Sequence, residues 1–334
     1  MALVQTANDW TIGIHKQTNE STVGTVADYD FPIFSGRPQP VQSIERVNVT
    51  DAAAVVGDPY KQPNEHWEYD GVVPAFANVL GRFLQSIWPT DTKTGAGPYT
   101  HTFTGLGSGS TPWMSLYSKQ GFSGNLSETF EAGQASAISF SFDQNGGPLK
   151  VGYKAVGKKP TVATFTTTTS AVLTDGYFTA AGGVLKFDED TGTPATVTNI
   201  QSGTVTVDRS VTPQPTADSV SVSLISLGKV DPSFALTLLW VDWQAYRATY
   251  YGAVGGSAPS STIVAGSVEL NFVHSVQAGW SFKLTIPSAV MVASPPEPNP
   301  DGGPLIVPIT GYATKPGSGE HVQPILINAV STSY

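Results

Sequence analysis

The sequence contains no cysteine and few charged residues. Without cysteine, the chain has no disulfides, no thiolate nucleophile and no cysteine-ligated zinc site. Charged residues make up 13% of the chain, about half the share of roughly 25% in an average soluble domain. Serine, threonine, asparagine and glutamine must therefore supply most of the polar surface. Together with 34 glycines and 25 prolines, this composition favours short strands joined by turns over a helical bundle.

Long apolar runs are also missing. No stretch of about 18 apolar residues occurs, so the sequence predicts no membrane-spanning helix. The N-terminal MALVQTANDW lacks the basic start and the apolar run of a signal peptide. We therefore expect a protein that is made in a cytoplasm and does not associate with a membrane.

The net charge is -9 and the isoelectric point is about 4.9. Binding of nucleic acid phosphates needs clustered lysine and arginine, so this balance argues against a DNA-gripping surface. Acidity favours solubility. It also suits a surface that DNA must pass without binding.

Alternation of apolar and polar residues is the dominant pattern in the chain, and it predicts strands with one buried and one solvated face. The runs that show it are 138–143, 204–208, 219–224, 267–272 and 280–286. Several such runs predict antiparallel sheets around a core. The fold class expected from this pattern is therefore all-β.

Two segments have helical periodicity instead. In PAFANVLGRFLQSIW, Pro74 is expected to open a helix and Pro89 to lie beyond its end. In DWQAYRATYYG, Asp242 is a predicted cap and Gly252 a predicted end. The sequence thus predicts two short helices within a β protein.

Two stretches of the chain resemble each other. NGGPLKVGYKAVGKKP (145–160) and DGGPLIVPITGYATKP (301–316) align without gaps from a shared Gly-Gly-Pro-Leu. Upstream of each we predict a helix, a strand, an Ala-Gly turn and an alternating strand: 124–131, Ala132-Gly133 and 136–143 in the first half, and 266–274, Ala278-Gly279 and 280–286 in the second. The period of about 150 residues is too long for a solenoid and indicates a duplicated domain.

We therefore predict one module over residues 1–160 and a second over 161–334. The Thr- and Val-rich run 161–228 either begins the second module or is partly an inserted surface decoration. The alternative is two convergent turn motifs within one large sandwich.

No constellation for catalysis or metal binding is evident. The five histidines (His15, His66, His101, His274 and His321) have no shared metal-ligand spacing, and neither a phosphate loop nor a G-x-S-x-G elbow occurs. We expect no enzyme activity, no metal and no cofactor.

Aromatic residues raise the alternative of a carbohydrate-binding, fibre or decoration module, in which exposed rings would bind sugars. However, Trp280, Phe282, Trp243 and Tyr246 lie on the apolar side of periodic segments. We expect them to pack in the core.

Four diffuse pieces follow one another along the chain: an N-terminal WTIGIHKQTNESTVGT, then PAFANVLGRFLQSIW, then GPYTHTFTG at 97–105, and finally PITGYATKPGSGEHVQPILINAV. In their order the chain resembles the major tail tube proteins of long-tailed bacteriophages with non-contractile tails. The resemblance implies β-sandwich modules flanked by a helix. Six modules form a ring, rings stack into a tube, and the inner wall is an acidic β-barrel through which DNA is ejected.

The resemblance also implies partners and a location. The chain would bind copies of itself, other tail proteins and the tape measure protein, and would be part of the virion after assembly in the bacterial cytoplasm. With duplicated modules three chains would make a ring, and otherwise six. Closely related tail-completion proteins share these features. Acidic strand residues are the candidates for the lumen wall: Glu128, Glu131, Asp143 and Glu269.

Overall fold

The computed structural model describes residues 10–24, 26–42, 44–51, 54–61, 65–120, 127–143, 147–158, 160–162, 176–187, 195–216, 219, 221–241, 243–252, 255–259, 265–296 and 304–334. These residues are mostly in strands, and two short helices accompany them. The all-β fold class predicted from the composition is confirmed.

The strands and helices of the first half of the chain are β1 (Trp10–Lys16), β2 (Tyr29–Phe31), β3 (Gln39–Val41), β4 (Ile44–Asp51), β5 (Ala54–Lys61), β6 (His66–Pro74), α1 (Ala77–Gln85), β7 (Thr90–Thr94), β8 (Tyr99–Thr104), β9 (Met114–Gln120), β10 (Ser127–Asp143), β11 (Lys150–Gly157) and β12 (Pro160–Val162). Those of the second half are β13 (Phe178–Phe187), β14 (Ala195–Val197), β15 (Ile200–Gln214), β16 (Leu224–Leu239), α2 (Gln244–Tyr251), β17 (Ala265–His274), β18 (Ser281–Ala293), β19 (Ile306–Ala313) and β20 (Gln323–Asn328).

Four of the five alternating runs form strands with the expected faces. Their apolar positions are buried, as in Phe140 of β10, Val205 of β15, Leu270 of β17 and Phe282 of β18. In the fifth run, 219–224, the described residues before Leu224 lie outside the strands, and Leu224 begins β16 with its side chain exposed. Val222 is buried, and its N–H donates to the carbonyl of Glu65. The apolar faces meet in one large core cluster that includes residues from both halves of the chain.

Both predicted helices exist, but the start of α1 differs from the prediction. Pro74 ends β6, and the helix begins three residues later at Ala77. The backbone of Phe76 is extended, which separates strand from helix. Gly252 ends α2 in the left-handed conformation, with φ of 76°, as predicted. Asp242, the predicted cap of α2, lies outside the described residues.

The predicted turn at Ala132-Gly133 is wrong, because β10 continues through it as one bent strand. Ala132 has a φ of 50°, and its N–H is bound by the side chain of Gln17 at 2.9 Å. Pairing shifts register between Phe130 and Gly133 and again between Ala135 and Ala137. The bend therefore lets one strand serve two parts of the sheet. The corresponding turn in the second half, at Gly279 with a φ of 84°, does form a hairpin.

Eight strands pair in the order β3, β6, β11, β10, β15, β16, β19 and β18. All of the pairs are antiparallel. The first four strands come from the first half of the chain and the last four from the second. The junction between the halves is the pairing of β10 with β15, from Ala137 opposite Asp208 to Asp143 opposite Ser202. We call this the eight-stranded sheet.

The two halves repeat the same order of pairing. In the first half β1, β9, β10, β11, β6 and β3 are neighbours in that order, and in the second half β13, β17, β18, β19, β16 and β15 are. The strand before each helix, β6 or β16, pairs with the strand after Gly-Gly-Pro-Leu in the same register. Lys150 opposes Pro74, and its counterpart Ile306 opposes Leu239.

Each half also carries a hairpin arm at the same position in this order. In the first half it is β4 with β5, between β3 and β6. In the second half it is the extension of β15 and β16 from Val211 opposite Leu227 to Gln214 opposite Leu224. The loop after β15 contacts the base of the first arm through a bridge between Glu65 and Ser221.

The last strand, β20, joins the halves a second time. It pairs with β18 on one side and with β8 on the other. Beyond it, the ring of Tyr334 is buried against α1 and lies 5.0 Å from the ring of His101 on β8. The core therefore runs without interruption from the first half into the second.

Candidate functional site: the open face of the eight-stranded sheet

The eight-stranded sheet covers the core with one face and leaves the other face open. On the core side, residues such as Tyr153, Phe140, Val205 and Leu236 are buried. The alternate positions point to the opposite face and are partly or fully exposed, because successive side chains of a strand alternate between faces. Serine and threonine are prominent on this open face: Ser139, Ser141, Ser202, Thr204, Thr206, Ser233, Thr237 and Thr310.

The charges on the open face are predominantly negative. Its described carboxylates are Glu68, Asp70, Asp143, Asp208 and Asp231, and its described ammonium groups are Lys150, Lys154 and Lys229. Asp208 lies directly opposite Asp231 on the neighbouring strand, an arrangement of like charges that destabilises a sheet. The surplus of carboxylates over ammonium groups gives this face a negative potential toward solvent.

Lys154 is held at the centre of the acidic group. Its Nζ lies 2.8 Å from Oδ2 of Asp70, and both side chains are more than half exposed. The hydrogen bond to Asp70 and the charge of Asp70 raise the pKa of Lys154, with a smaller contribution from Asp208. The lysine therefore stays protonated and offsets one carboxylate without reversing the sign of the face.

The four acidic residues chosen from the sequence do not lie on one surface. Asp143 is on the open face, at the end of β10 and opposite Ser202. Glu128 and Glu131 lie on the other part of β10, which pairs with β9 and β12. Fifteen residues of strand separate Glu128 from Asp143, a path of up to roughly 50 Å. Glu269 lies on β17, where its Oε2 is 2.6 Å from Nζ of Lys283.

The sequence reasoning missed Glu68, Asp70, Asp208 and Asp231. Glu68 and Asp70 alternate with the buried Trp67 and Tyr69, so the period-two pattern marks them as solvent-facing. Asp208 ends an alternating run that was recognised. The local pattern does not show the long-range strand pairing that places these four residues on the same face.

Two histidines away from the open face have structural partners. His101 is fully buried between Oδ2 of Asp91, at 2.9 Å, and the carbonyl of Val330, at 3.0 Å. His15 lies 2.8 Å from Asp28, whose other oxygen lies 3.0 Å from Arg82 on α1. In the part of the chain that the structure describes, no three histidine or acidic residues are grouped to hold a metal ion, and no helix is long and apolar enough to cross a membrane.

A group of aromatic side chains on and before α2 is exposed, contrary to expectation. Trp243 is 52% exposed and Tyr250 51%. The ring of Tyr250 stacks on the half-buried Tyr246, and the ring of Trp243 meets Tyr246 edge-on. Trp280 and Phe282, by contrast, pack in or against the core as expected. The prediction of core packing is therefore wrong for Trp243.

The two ends of the eight-stranded sheet differ in how they are covered. At one end, Gln39 and Pro40 of β3 are exposed. At the other end, the N–H of Ala293 in β18 donates to Oγ1 of Thr249 on α2 at 3.2 Å. Helix α2 thus covers the β18 edge, while the β3 edge faces solvent.

A family model for phage tail tube proteins matches residues 20–313 of the chain. The chain belongs to the phage tail tube protein family. This is a family of structural proteins of the phage tail that assemble with copies of themselves and with other tail components. No curated protein matches the sequence. The resemblance seen in the sequence is confirmed. The open face of the eight-stranded sheet is the surface whose role in a tail tube protein needs an explanation.

Proposed function

We propose that the eight-stranded sheet forms the wall of the tail tube, with its open face toward the channel through which phage DNA is ejected. The observation that supports this most directly is the combination of a solvated, serine- and threonine-rich face with a surplus of carboxylates. Any antiparallel sheet that covers a core on one side has a solvated face on the other, but here that face extends over eight neighbouring strands and its charges are predominantly negative. The chain acts by packing and charge, without catalysis.

The chemistry of the open face suits the passage of DNA. Phosphate groups bind where clustered lysine and arginine release counterions, and a surplus of carboxylates disfavours such binding. Hydroxyl side chains keep the wall hydrated without fixed positive charge. DNA would therefore slide along the face without specific contacts.

We also propose that the chain is a duplicated tube module and that three chains form one ring. The repeated order of strand pairing, the equal register before each helix and the paired hairpin arms support this. Three copies of the eight-stranded sheet, joined edge to edge with strands about 4.8 Å apart, give a barrel roughly 40–50 Å across its backbone. Such a barrel admits a DNA duplex.

Stacking of rings is assigned to the hairpin arms and to the N-terminal segment. The arms extend from the end of the sheet at which β3 meets β6 and β15 meets β16. The tape measure protein and other tail proteins are the further partners of the assembled tube. Assembly takes place in the host cytoplasm and yields part of the virion.

The test is electron microscopy of the purified chain, with mass measurement of single rings. We expect stacked rings about ten nanometres across, a size set by six modules of ordinary domain dimensions. A ring mass of three times 35.1 kDa supports the duplication. Six chains per ring would rule out the duplication. A chain that stays monomeric would rule out a role in the tail tube.

The exposed rings of Trp243 and Tyr250 favour one alternative, a binding or decoration module that uses flat aromatic surfaces. Its test is calorimetric titration of the monomer with polysaccharides of the bacterial surface. Binding that is lost in Trp243→Ala, together with failure to form rings, would support this alternative over the tube.

A further inference from the structure

The eight-stranded sheet ends at β3 on one side and at β18 on the other, and the repeat relates both ends to a junction already present within the chain. That junction is the pairing of β10 with β15. By the common order of pairing, β18 is the counterpart of β10, and β3 is the counterpart of β15. The two free ends therefore carry the same pair of surfaces that the chain joins internally.

The correspondence extends to single residues. Pairing of β10 with β11 and of β18 with β19 makes Val292 and Ala293 the counterparts of Ala137 and Ile138. Pairing of β3 with β6 and of β15 with β16 makes Pro40 and Val41 the counterparts of Val207 and Asp208, according to the same register rule. Within the chain, Ala137 opposes Asp208 and Ile138 opposes Val207.

The backbone of β18 is oriented for this pairing. The N–H of Ser294 donates to the carbonyl of Pro308 on β19 at 3.0 Å. Because hydrogen-bonding groups alternate sides along an antiparallel strand, the N–H of Ala293 points away from β19, toward the free edge. There it meets Oγ1 of Thr249 instead of a strand.

Burial differs between the internal junction and the free ends. Val207 and Ile138 are completely buried where β15 meets β10. Their counterparts face other surroundings: Pro40 is exposed, and Ala293 is covered by α2. Of residues 246–251 in α2, Ala248 alone is fully buried. Few side chains of the helix therefore pack against the β18 edge.

Pro40 limits the number of backbone hydrogen bonds that a second strand can form with the β3 edge. It lacks an N–H but retains a carbonyl that can accept from Ala293. Proline on an edge strand also discourages indiscriminate pairing. One backbone hydrogen bond at this position leaves side-chain packing to supply most of the remaining attraction.

We propose that β3 of a second copy of this chain pairs antiparallel with the β18 edge, with Val41 opposite Val292 and Pro40 opposite Ala293, and that α2 leaves this edge when the copy docks. Helix α2 is the cover that protects the edge before assembly, and the internal junction of β10 with β15 is the pattern for the contact between chains. The inference rests on the proposed ring and names the surfaces that close it.

The test uses the absence of cysteine in the natural sequence, since introduced thiols have no competitors. The variant carries Val41→Cys with Val292→Cys. These residues would occupy a non-hydrogen-bonded pair, whose Cα atoms lie about 4.5 Å apart, within the range for a disulfide. The matched control carries Ala137→Cys with Asp208→Cys, the equivalent pair within one chain.

Assembled tubes of the test variant are oxidised and separated under denaturing, non-reducing conditions. We expect a ladder of covalently linked chains that stops at three times 35.1 kDa, while the control stays at the mass of one chain and forms its disulfide before assembly. If tubes of the test variant contain no linked chains while the control forms its disulfide, the proposed pairing of β3 with β18 is wrong. A ladder that continues past three chains would support the pairing of β3 with β18 and would rule out the three-chain ring.

A measurement on the unaltered chain guards against a variant that does not fold. Hydrogen exchange should show protection of the Gln42 amide on assembly, because Pro40 has no N–H and the N–H groups of Gln39 and Val41 point toward β6. Ala293 should stay protected, and exchange in α2 should become faster as it leaves the edge. Unchanged exchange of Gln42 in tubes would contradict the proposed pairing of β3 with β18. If the unaltered chain never forms rings, the proposed function is wrong, and the pairing of β3 with β18 between chains is then wrong as well.

Discussion

Tyr334 connects three elements through one side chain. Its hydroxyl accepts from Nδ2 of Asn328 at 2.6 Å and donates to the carbonyl of Asn78 at 2.9 Å. Its ring lies against His101 and Phe103, and the guanidinium of Arg82 lies 5.8 Å from the ring centre. The residue therefore ties α1, β8 and the end of β20 together.

Removal of these contacts should lower the free energy of unfolding in two steps. Tyr334→Phe keeps the ring and leaves buried polar partners unmet, for an expected loss of about 1–3 kcal/mol. Tyr334→Ala also leaves a cavity, for a loss of about 3–5 kcal/mol. The measurement is urea unfolding, with Tyr312→Phe at a half-exposed position as the control. Equal stability of Tyr334→Phe and the unaltered chain would contradict the role of the hydroxyl.

Asp30 gives the folded chain a pH dependence of its own. The side chain is buried on β2, and its Oδ1 has no hydrogen-bond partner among the described residues. Burial raises the pKa of Asp30 to about 6, an effect that the positive charge of Lys119 partly offsets. Between about pH 4 and pH 6 the folded chain therefore holds a proton that the unfolded chain has lost.

Stability from this group is greatest below pH 4 and falls as pH rises through 6, because the unfolded state releases the proton first. Asp30→Asn should remove this decline and raise the free energy of unfolding above pH 6 by about 1–2 kcal/mol. Unfolding curves from pH 4 to pH 8 provide the measurement. A difference between variant and parent that does not change with pH would rule out this assignment.

At the scale of elements, α1 is fitted closely around Tyr334 through Gly81. A Cβ at position 81 would lie 2.1 Å from Cε2 of the Tyr334 ring. Alanine favours a helix over glycine by about 0.8–1 kcal/mol, so propensity alone predicts that Gly81→Ala stabilises. We expect the opposite, a loss of about 1–3 kcal/mol from overpacking.

The control is Gly109→Ala, at a loop position with no heavy atom within 4 Å of the added carbon. Its thermal midpoint should stay within about a degree of the parent, whereas that of Gly81→Ala falls. A rise in the midpoint of Gly81→Ala would show that the ring of Tyr334 yields readily.

Local periodicity identified most of the elements. Alternation located the parts of β10, β15, β17 and β18 that line the core, because burial on one face imposes it. Helical spacing found α1 and α2. The bend in β10 was invisible, since Ala132-Gly133 has the composition of a turn and the side chain that satisfies the bent backbone, Gln17, is distant in sequence.

An apolar helical face in the sequence does not say what covers it. Trp243 and Tyr250 share such a face with Tyr246, yet two of the three rings are half-exposed or more. The equivalent face of α1 is buried by strands from both halves of the chain. Whether such strands reach a given helix depends on pairing that no local pattern encodes.

At the scale of the whole molecule, one core predicts one unfolding transition. The core cluster contains Phe83 in α1 and Phe282 in β18, and β20 pairs with strands of both halves. We expect a single calorimetric peak in the unassembled chain, with equal calorimetric and van't Hoff enthalpies. Phe83→Ala and Phe282→Ala should each shift that one peak. Two peaks, each moved by one variant, would mean that the two halves of the chain unfold separately.

The acidic open face of the sheet was foreseeable as a property but not as a set of residues. Low charge, an acidic balance and polar alternate positions all indicate a solvated sheet face. Of the residues chosen, Asp143 lies on the open face, and Glu269 is engaged with Lys283 on another strand. The choice depends on which strands become neighbours, and those contacts join residues far apart in sequence.

The shared register of the two halves has a consequence for the electrostatic symmetry of the proposed channel. Glu68, Asp70, Lys150 and Lys154 of the first half correspond to Ser233, Ala235, Ile306 and Thr310 of the second. Conversely, Asp208 and Asp231 of the second half correspond to Val41 and His66 of the first. In a ring of three chains, the six sectors would share one backbone pattern but carry their charges at different positions, so the potential would repeat three times around the circumference. DNA moving through such a channel would meet two alternating kinds of longitudinal track.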